Sequence, residues 1–175
     1  MNQILNQTAL ENSHSVPDVR PPTRGSGDRV AFIQACWHKE IVDQCRIAFM
    51  EEAERLGLQP ASIDVFETPG SFEIPLQAKT LAGSGRYAAI VAAGLIVDGG
   101  VYRHEFVADA VISALMRLQM EVCVPVISAV LTPQRFHDHE DHRRFFRDHF
   151  LIKGREAAQA CMRTIDNIAA ARKAA

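Results

Sequence analysis

At 175 residues, with 47% apolar and 23% charged side chains, the chain suits one ordinary globular domain that buries a core without disulfide or metal staples. A formal net charge of -2 supplies no attraction toward nucleic acid or an anionic membrane, which excludes both as expected partners and leaves small molecules. No apolar run reaches membrane-spanning length, and the N-terminus lacks the basic-then-apolar order of a signal peptide. The cysteines, Cys36, Cys45, Cys123 and Cys161, are scattered without a C-x-x-C pair, so free thiols in a cytoplasmic setting are expected.

Residues 1–28, rich in Asn, Ser, Pro and Gly, read as a mostly disordered tail ahead of a domain spanning 29–175. Residues 30–35 form a short apolar strand, and Ile41, Cys45, Ala48, Phe49, Glu52, Ala53 and Leu56 then mark a helix with one polar member in its stripe. Residues 62–66 alternate like a strand, Pro69-Gly70 turns the chain, and a helix runs over about 72–82. The nearly continuous apolar run 87–97 suits a strand covered on both faces. Phe106, Val107, Ala110, Val111, Ala114, Leu115 and Leu118 give a broad helical face, residues 125–131 a fourth strand. After a polar segment over 134–149 comes a last helix over about 154–171. Strand and helix thus alternate four times, which predicts an α/β, flavodoxin-like three-layer sandwich: a four-stranded parallel sheet flanked by helices. So small an open sheet has edges to protect, and oligomerisation is one way to do it.

Ligands of open parallel sheets bind beyond the carboxyl ends of the strands. Those ends lead here into Cys36-Trp37-His38, the segment 67–73, the segment 98–104 and the histidine-bearing segment 132–142, so they should share one polar, aromatic rim. Trp37, the only tryptophan, either stacks on a flat ligand or packs a helix start. Gly99-Gly100 before a helix, with Arg103 alongside, fits an anion site, although many such glycine pairs are plain turns. There is no G-x-G-x-x-G and no Walker A loop, so dinucleotides and ATP are poor candidates. His137, His139, His142 and His149 crowd one charged segment without H-E-x-x-H order and read as a solvated, partly phosphate-facing helix; no metal is expected. Cys36 reads as a small apolar filler.

Residues 69–75, P-G-S-F-E-I-P, resemble the signature of the lumazine synthase family. Further resemblances follow in the family's order: an aromatic after strand one (Trp37), the apolar strand into Gly99, the V-P-V-I stretch 124–127, and Lys153-Gly154, so that the likeness covers about residues 28–170. The resemblance implies an enzyme of riboflavin biosynthesis, without organic cofactor or metal, that condenses 5-amino-6-(D-ribitylamino)uracil with 3,4-dihydroxy-2-butanone 4-phosphate. It also implies a homo-oligomer, a pentamer or a decamer of two pentamers, with active sites between neighbouring subunits. Carried onto this chain, it would stack Trp37 on the pyrimidine, set Ser71, Phe72 and Glu73 against the ribityl chain and ring, and turn backbone groups of Leu95, Ile96 and Val97 toward the pyrimidine edge. Gly100 and Val101 would offer N–H groups to the phosphate, and Ser128, His142 and Lys153 would arrive from the adjacent subunit.

Two departures bear on catalysis. Arg103 stands where the family usually has its proton-carrying histidine, and arginine keeps its proton at any working pH. His142 stands where the family usually has the phosphate-gripping arginine. The exchange is reciprocal, which implies that Arg103 holds the phosphate and His142 moves the proton. His104, one residue on, is the third catalytic candidate, but neighbouring helical residues face different directions, so it is no simple replacement. Ser128 also departs, from a more usual aromatic. The alternative reading is an assembly that binds lumazine or flavin with little or no turnover.

Overall fold

A computed structural model of the chain describes residues 27–174; of the expected tail, all but Gly27 and Asp28 lies outside the described residues. Strands and helices alternate as β1 (Arg29–Ala35), α1 (Lys39–Arg55), β2 (Ile63–Thr68), α2 (Ile74–Gly83), β3 (Tyr87–Leu95), α3 (His104–Val122), β4 (Val126–Leu131) and α4 (Glu140–Ala174). The strands pair parallel in the order β2-β1-β3-β4, the flavodoxin-like arrangement the alternation predicts.

Alternate residues of the central strands feed two cores. Val30 and Phe32 of β1 join Val91, Ala93 and Leu95 of β3 against α1 and α4, around Phe49, Phe146 and Phe150. Ala31, Ile33 and Ala35 join Ile90 and Ala92 against α2 and α3, around Ile74, Val111, Leu115 and Leu118. Both faces being covered, β1 and β3 carry almost no polar side chain, as parallel strands should. At the amino ends, Arg29 grips the Asp64 carboxylate with two guanidinium nitrogens and the Tyr87 hydroxyl donates to it at 2.9 Å, tying β1, β2 and β3 together. Arg29 foremost holds the Asp64 carboxyl down at about 2. Glu52, the polar member of the α1 stripe, is buried and satisfied by Arg55 and, from α4, by Gln159 at 2.7 Å. Among the described residues no helix is long and apolar enough to cross a membrane.

The last helix departs from the sequence expectation. It begins at Glu140 rather than near Gly154 and runs unbroken for 35 residues. Gly154 is not a helix start but the point where α4 crosses α1: a Cβ there would stand 2.3 Å from the Cys45 carbonyl oxygen and 2.9 Å from the Ala48 Cβ. Phe146, Phe150, Ala157 and Cys161 bury the same face. The stripe begins inside the segment that charge and histidine content marked as polar, and the glycine that looked like a break is demanded by two backbones in contact. Gly154→Ala is therefore expected to cost about 2–3 kcal/mol in denaturant unfolding, because neither backbone can yield. Gly83→Ala, at a position with nothing within 4 Å of the added Cβ, should change stability by less than about 1 kcal/mol.

Candidate active site

The parallel register carries all four carboxyl ends to one edge. Ala35 is level with Thr68 and Leu95 with Leu131, and the ladder continues one step through Cys36 N–H to Thr68 O and Ile96 N–H to Leu131 O, each at 2.9 Å. Beyond that edge three segments rise side by side: 36–38, 69–73 and 96–104. The middle one is a 3-10 turn (Ser71–Glu73) anchored at both ends. Glu73 Oε2 accepts the Gly70 N–H at 2.9 Å, and the Thr68 hydroxyl donates to the Gly70 carbonyl at 2.9 Å. Ser71 is buried over Gly94 of β3, where a Cβ would come within 2.7 Å of its Oγ. Only glycine in mid-strand lets this turn lie down on the sheet.

Between these segments lies a cleft of about 470 Å³ whose wall includes Trp37, Ser71, Phe72, Glu73, Leu95, Ile96, Val97, Val101 and His104. Trp37 and Phe72 are 65% and 57% exposed, two rings standing free beside one space, as a planar ligand requires. Glu73 spends one oxygen on Gly70, and the other has no hydrogen-bond partner among the described residues. His38 and Tyr102, which sequence reasoning did not single out, also line the cleft. His38 is a left-handed residue (φ 52) whose carbonyl starts α1 by accepting from Ile41 and Val42. Such a conformation, strained for a side chain bearing a Cβ, gives no sequence signal.

A second cleft, of about 530 Å³, is lined by the 98–106 segment, with Gly100, Arg103, His104, Asp98 and Glu105 on its wall, and shares Val101, Tyr102 and His104 with the first. Gly100 takes a positive φ of 73°, open to glycine at little cost. Its N–H is held by Asp98 Oδ1 at 2.9 Å. Arg103, just ahead of α3, makes no ion pair among the described residues and rests 5.9 Å from the Phe106 ring centre. His104 opens the helix, its side chain mostly covered, with Nδ1 3.5 Å from a Glu105 carboxylate oxygen. The site therefore has an aromatic, polyol-friendly side and an anion-friendly side, and His104 borders both.

Ser128, His142 and Lys153 are not on either wall of the single chain. Ser128 lies exposed on the edge strand β4, and Lys153 pairs with Glu156 at 2.6 Å on α4. His142 is grouped with His137 and His139, ring centres 4.8–6.0 Å apart, and its Nδ1 accepts the His137 backbone N–H at 3.1 Å. Among the described residues no set of three His, Cys, Asp or Glu side chains is placed to hold a metal ion. At the foot of the rim, Lys39 bridges Glu67 and Asp43, and burial first, Glu67 second, push the Cys36 thiol up, so it stays protonated and unreactive.

The family model described as 6,7-dimethyl-8-ribityllumazine synthase matches residues 27–169. A protein of Bradyrhizobium diazoefficiens named 6,7-dimethyl-8-ribityllumazine synthase 2 is 60% identical, over 85% of this chain and 89% of the relative. A Pseudomonas syringae protein of the same name is 58% identical, over 83% and 86%. The 6,7-dimethyl-8-ribityllumazine synthase of Rhodococcus erythropolis is 55% identical, over 82% and 93%.

Because Trp37 is the only indole, its fluorescence reports on the cleft alone. A flat heterocycle entering between Trp37 and Phe72 should quench it. Trp37→Ala should weaken such a ligand about tenfold, the worth of one lost aromatic stack plus its buried area. Unquenched emission at saturating ligand would place the ring elsewhere.

Proposed function

Because the chain belongs to the 6,7-dimethyl-8-ribityllumazine synthase family, we propose that its strand-end rim is where the family's condensation takes place. The protein is a transferase of riboflavin biosynthesis: it joins 5-amino-6-(D-ribitylamino)uracil to 3,4-dihydroxy-2-butanone 4-phosphate, giving 6,7-dimethyl-8-ribityllumazine, phosphate and water. One observation carries the assignment of the site: Trp37, Phe72, Glu73 and His104 wall one cleft, directly beside the Gly100 turn and Arg103.

On this reading the pyrimidine lies flat against Trp37, with Leu95, Ile96 and Val97 offering backbone groups to its edge. Glu73 accepts ribityl hydroxyls with its free oxygen while Ser71 and Phe72 close the far side. Gly100 and Val101 point N–H groups at the phosphate, and Arg103, with no carboxylate partner among the described residues, supplies the counter-charge. Schiff-base formation, phosphate loss, ring closure and dehydration then need the two substrates held in contact more than they need a strong base; such positioning is worth on the order of 7–11 kcal/mol.

For the proton carrier we favour His104 over the His142 that the sequence suggests. His142 accepts a backbone N–H at Nδ1, which leaves Nε2 as its donor. That suits a clasp on phosphate, delivered by a neighbouring subunit. The Nδ1 of His104 stands 3.5 Å from a Glu105 carboxylate oxygen, and the residue lines both clefts. We therefore assign proton transfer to His104 and phosphate binding to Arg103 and His142.

The assembly is read as a pentamer or a pair of pentamers, with Ser128, His142 and Lys153 entering the neighbour's cleft. Leu76, Phe106, Met116 and Met120 on α2 and α3 are each more than half exposed in the single chain, an apolar surface a lone protomer does not leave wet. Four unpaired cysteines suit the cytoplasm. No observation favours a binding assembly without turnover.

Steady-state kinetics separates the roles. His104→Ala should lower kcat by about 10²-fold or more with both substrates still bound. Arg103→Ala should raise KM for the butanone phosphate by about tenfold or more and leave the ribitylaminouracil KM alone. Unchanged KM in Arg103→Ala would remove the arginine from the phosphate site. Full turnover in His104→Ala, with turnover lost in His142→Ala, would return the proton to His142.

A further inference from the structure

The Gly100 amide, assigned above to the substrate phosphate, already has a partner: Asp98 Oδ1, at 2.9 Å. An anion beside an anion site needs a reason, since a carboxylate repels the incoming phosphate and one N–H cannot serve both. Asp98 is exposed and, among the described residues, has no Lys or Arg partner to neutralise it. It borders the same cleft as Gly100 and Arg103. Room for a ligand is present, because nothing lies within 4 Å of where a Cβ would stand on Gly99 or Gly100.

We propose that Asp98 is a specificity-setting residue: its carboxylate stands in for the substrate phosphate on the Gly100 N–H and has to leave when the phosphate arrives. The proposal rests on the reading that this turn receives the phosphate. Asp98 holds the turn with Gly100 at positive φ and its N–H engaged, both residues bordering the cleft. When the butanone phosphate enters, Arg103 draws the dianion in and Asp98 rotates to solvent. After the reaction has expelled inorganic phosphate, Asp98 retakes the amide and opposes its rebinding. Displacing Asp98 costs substrate and product the same free energy, but only the substrate has carbon-chain contacts to offset it, so product phosphate is left weakly held.

Two roles for Asp98 make opposite forecasts, which makes the test decisive. If Asp98 only braces the turn, removing it loosens the site and weakens phosphate. If it competes, removing it strengthens phosphate. In the full-length protein, inorganic phosphate is titrated as an inhibitor competing with the butanone phosphate, for wild type, Asp98→Ala, Asp98→Asn and Gly100→Ala. Ribitylaminouracil affinity serves as the check on folding. Asp98→Ala should bind inorganic phosphate roughly tenfold more tightly, the loss of one charge-assisted hydrogen bond to the competitor, at unchanged ribitylaminouracil affinity. Asp98→Asn should shift the same way by less, and Gly100→Ala should weaken phosphate. Unchanged or weaker phosphate binding in Asp98→Ala, with Gly100→Ala still weakened, overturns the stand-in role and leaves the phosphate site in place. Phosphate affinity unmoved by both variants overturns the phosphate site itself, and the role of Asp98 with it.

Discussion

Ala35 level with Thr68, and Leu95 with Leu131, are the last rungs of a parallel ladder, and they place four loop entrances along a single edge of the sheet. Everything at the site hangs from that edge. The central strands can hold it because both their faces are buried, one under α1 and α4, the other under α2 and α3. The arginine and tyrosine that grip Asp64 fix the opposite ends of the same strands, so their register is pinned at both extremities. Where the helices come closest, small residues permit it: Gly154 where α4 crosses α1, and Gly94 beneath the turn that carries Ser71, Phe72 and Glu73.

The rim separates two recognition tasks in space. On one side, exposed rings and a half-committed carboxylate suit a planar, hydroxylated ligand whose binding comes mainly from area and stacking. On the other, a glycine turn and an arginine suit a compact anion whose binding comes from charge-assisted hydrogen bonds. A condensation needs both ligands within bonding reach, and His104 sits where the two sides meet, at the first turn of α3. Arg103 and His104 follow one another in sequence, but Arg103 precedes the helix in an extended conformation while His104 is its first residue.

The sheet was legible in the sequence because periodicity is a direct consequence of burial: apolar runs at 30–35, 87–97 and 125–131 and the alternation at 62–66 overlap the four strands to within a residue or two at most ends. The cleft residues Trp37, Ser71, Phe72, Glu73 and Leu95 through Val97 were legible through the heptapeptide and its ordered partners, since they meet within one chain. Three things were hidden. The start of α4 was masked by charges on its wet face, and Gly154 owes its identity to Cys45 and Ala48, far away in sequence. His38 and Tyr102 enter the cleft through loop conformations that leave no pattern. The contacts of His142 Nδ1 with the His137 amide and of His104 Nδ1 with Glu105 arise from local packing, which sequence does not encode. Ser128, His142 and Lys153 lie away from the cleft of their own chain, so their part rests on how subunits adjoin.

On the proposed reading a working site joins the Trp37 wall of one subunit to the His142 segment of the next. Subunits of Trp37→Ala and His142→Ala, each impaired alone, can be unfolded together in equal amounts, reassembled, and assayed at ribitylaminouracil concentrations well below the Trp37→Ala KM. In a head-to-tail ring a site is intact when a subunit with Trp37 is followed by one with His142, so lumazine formation should recover to about a quarter of wild type. Recovery no greater than the mean of the two variants alone would mean that each subunit carries its whole site, and would contradict the account.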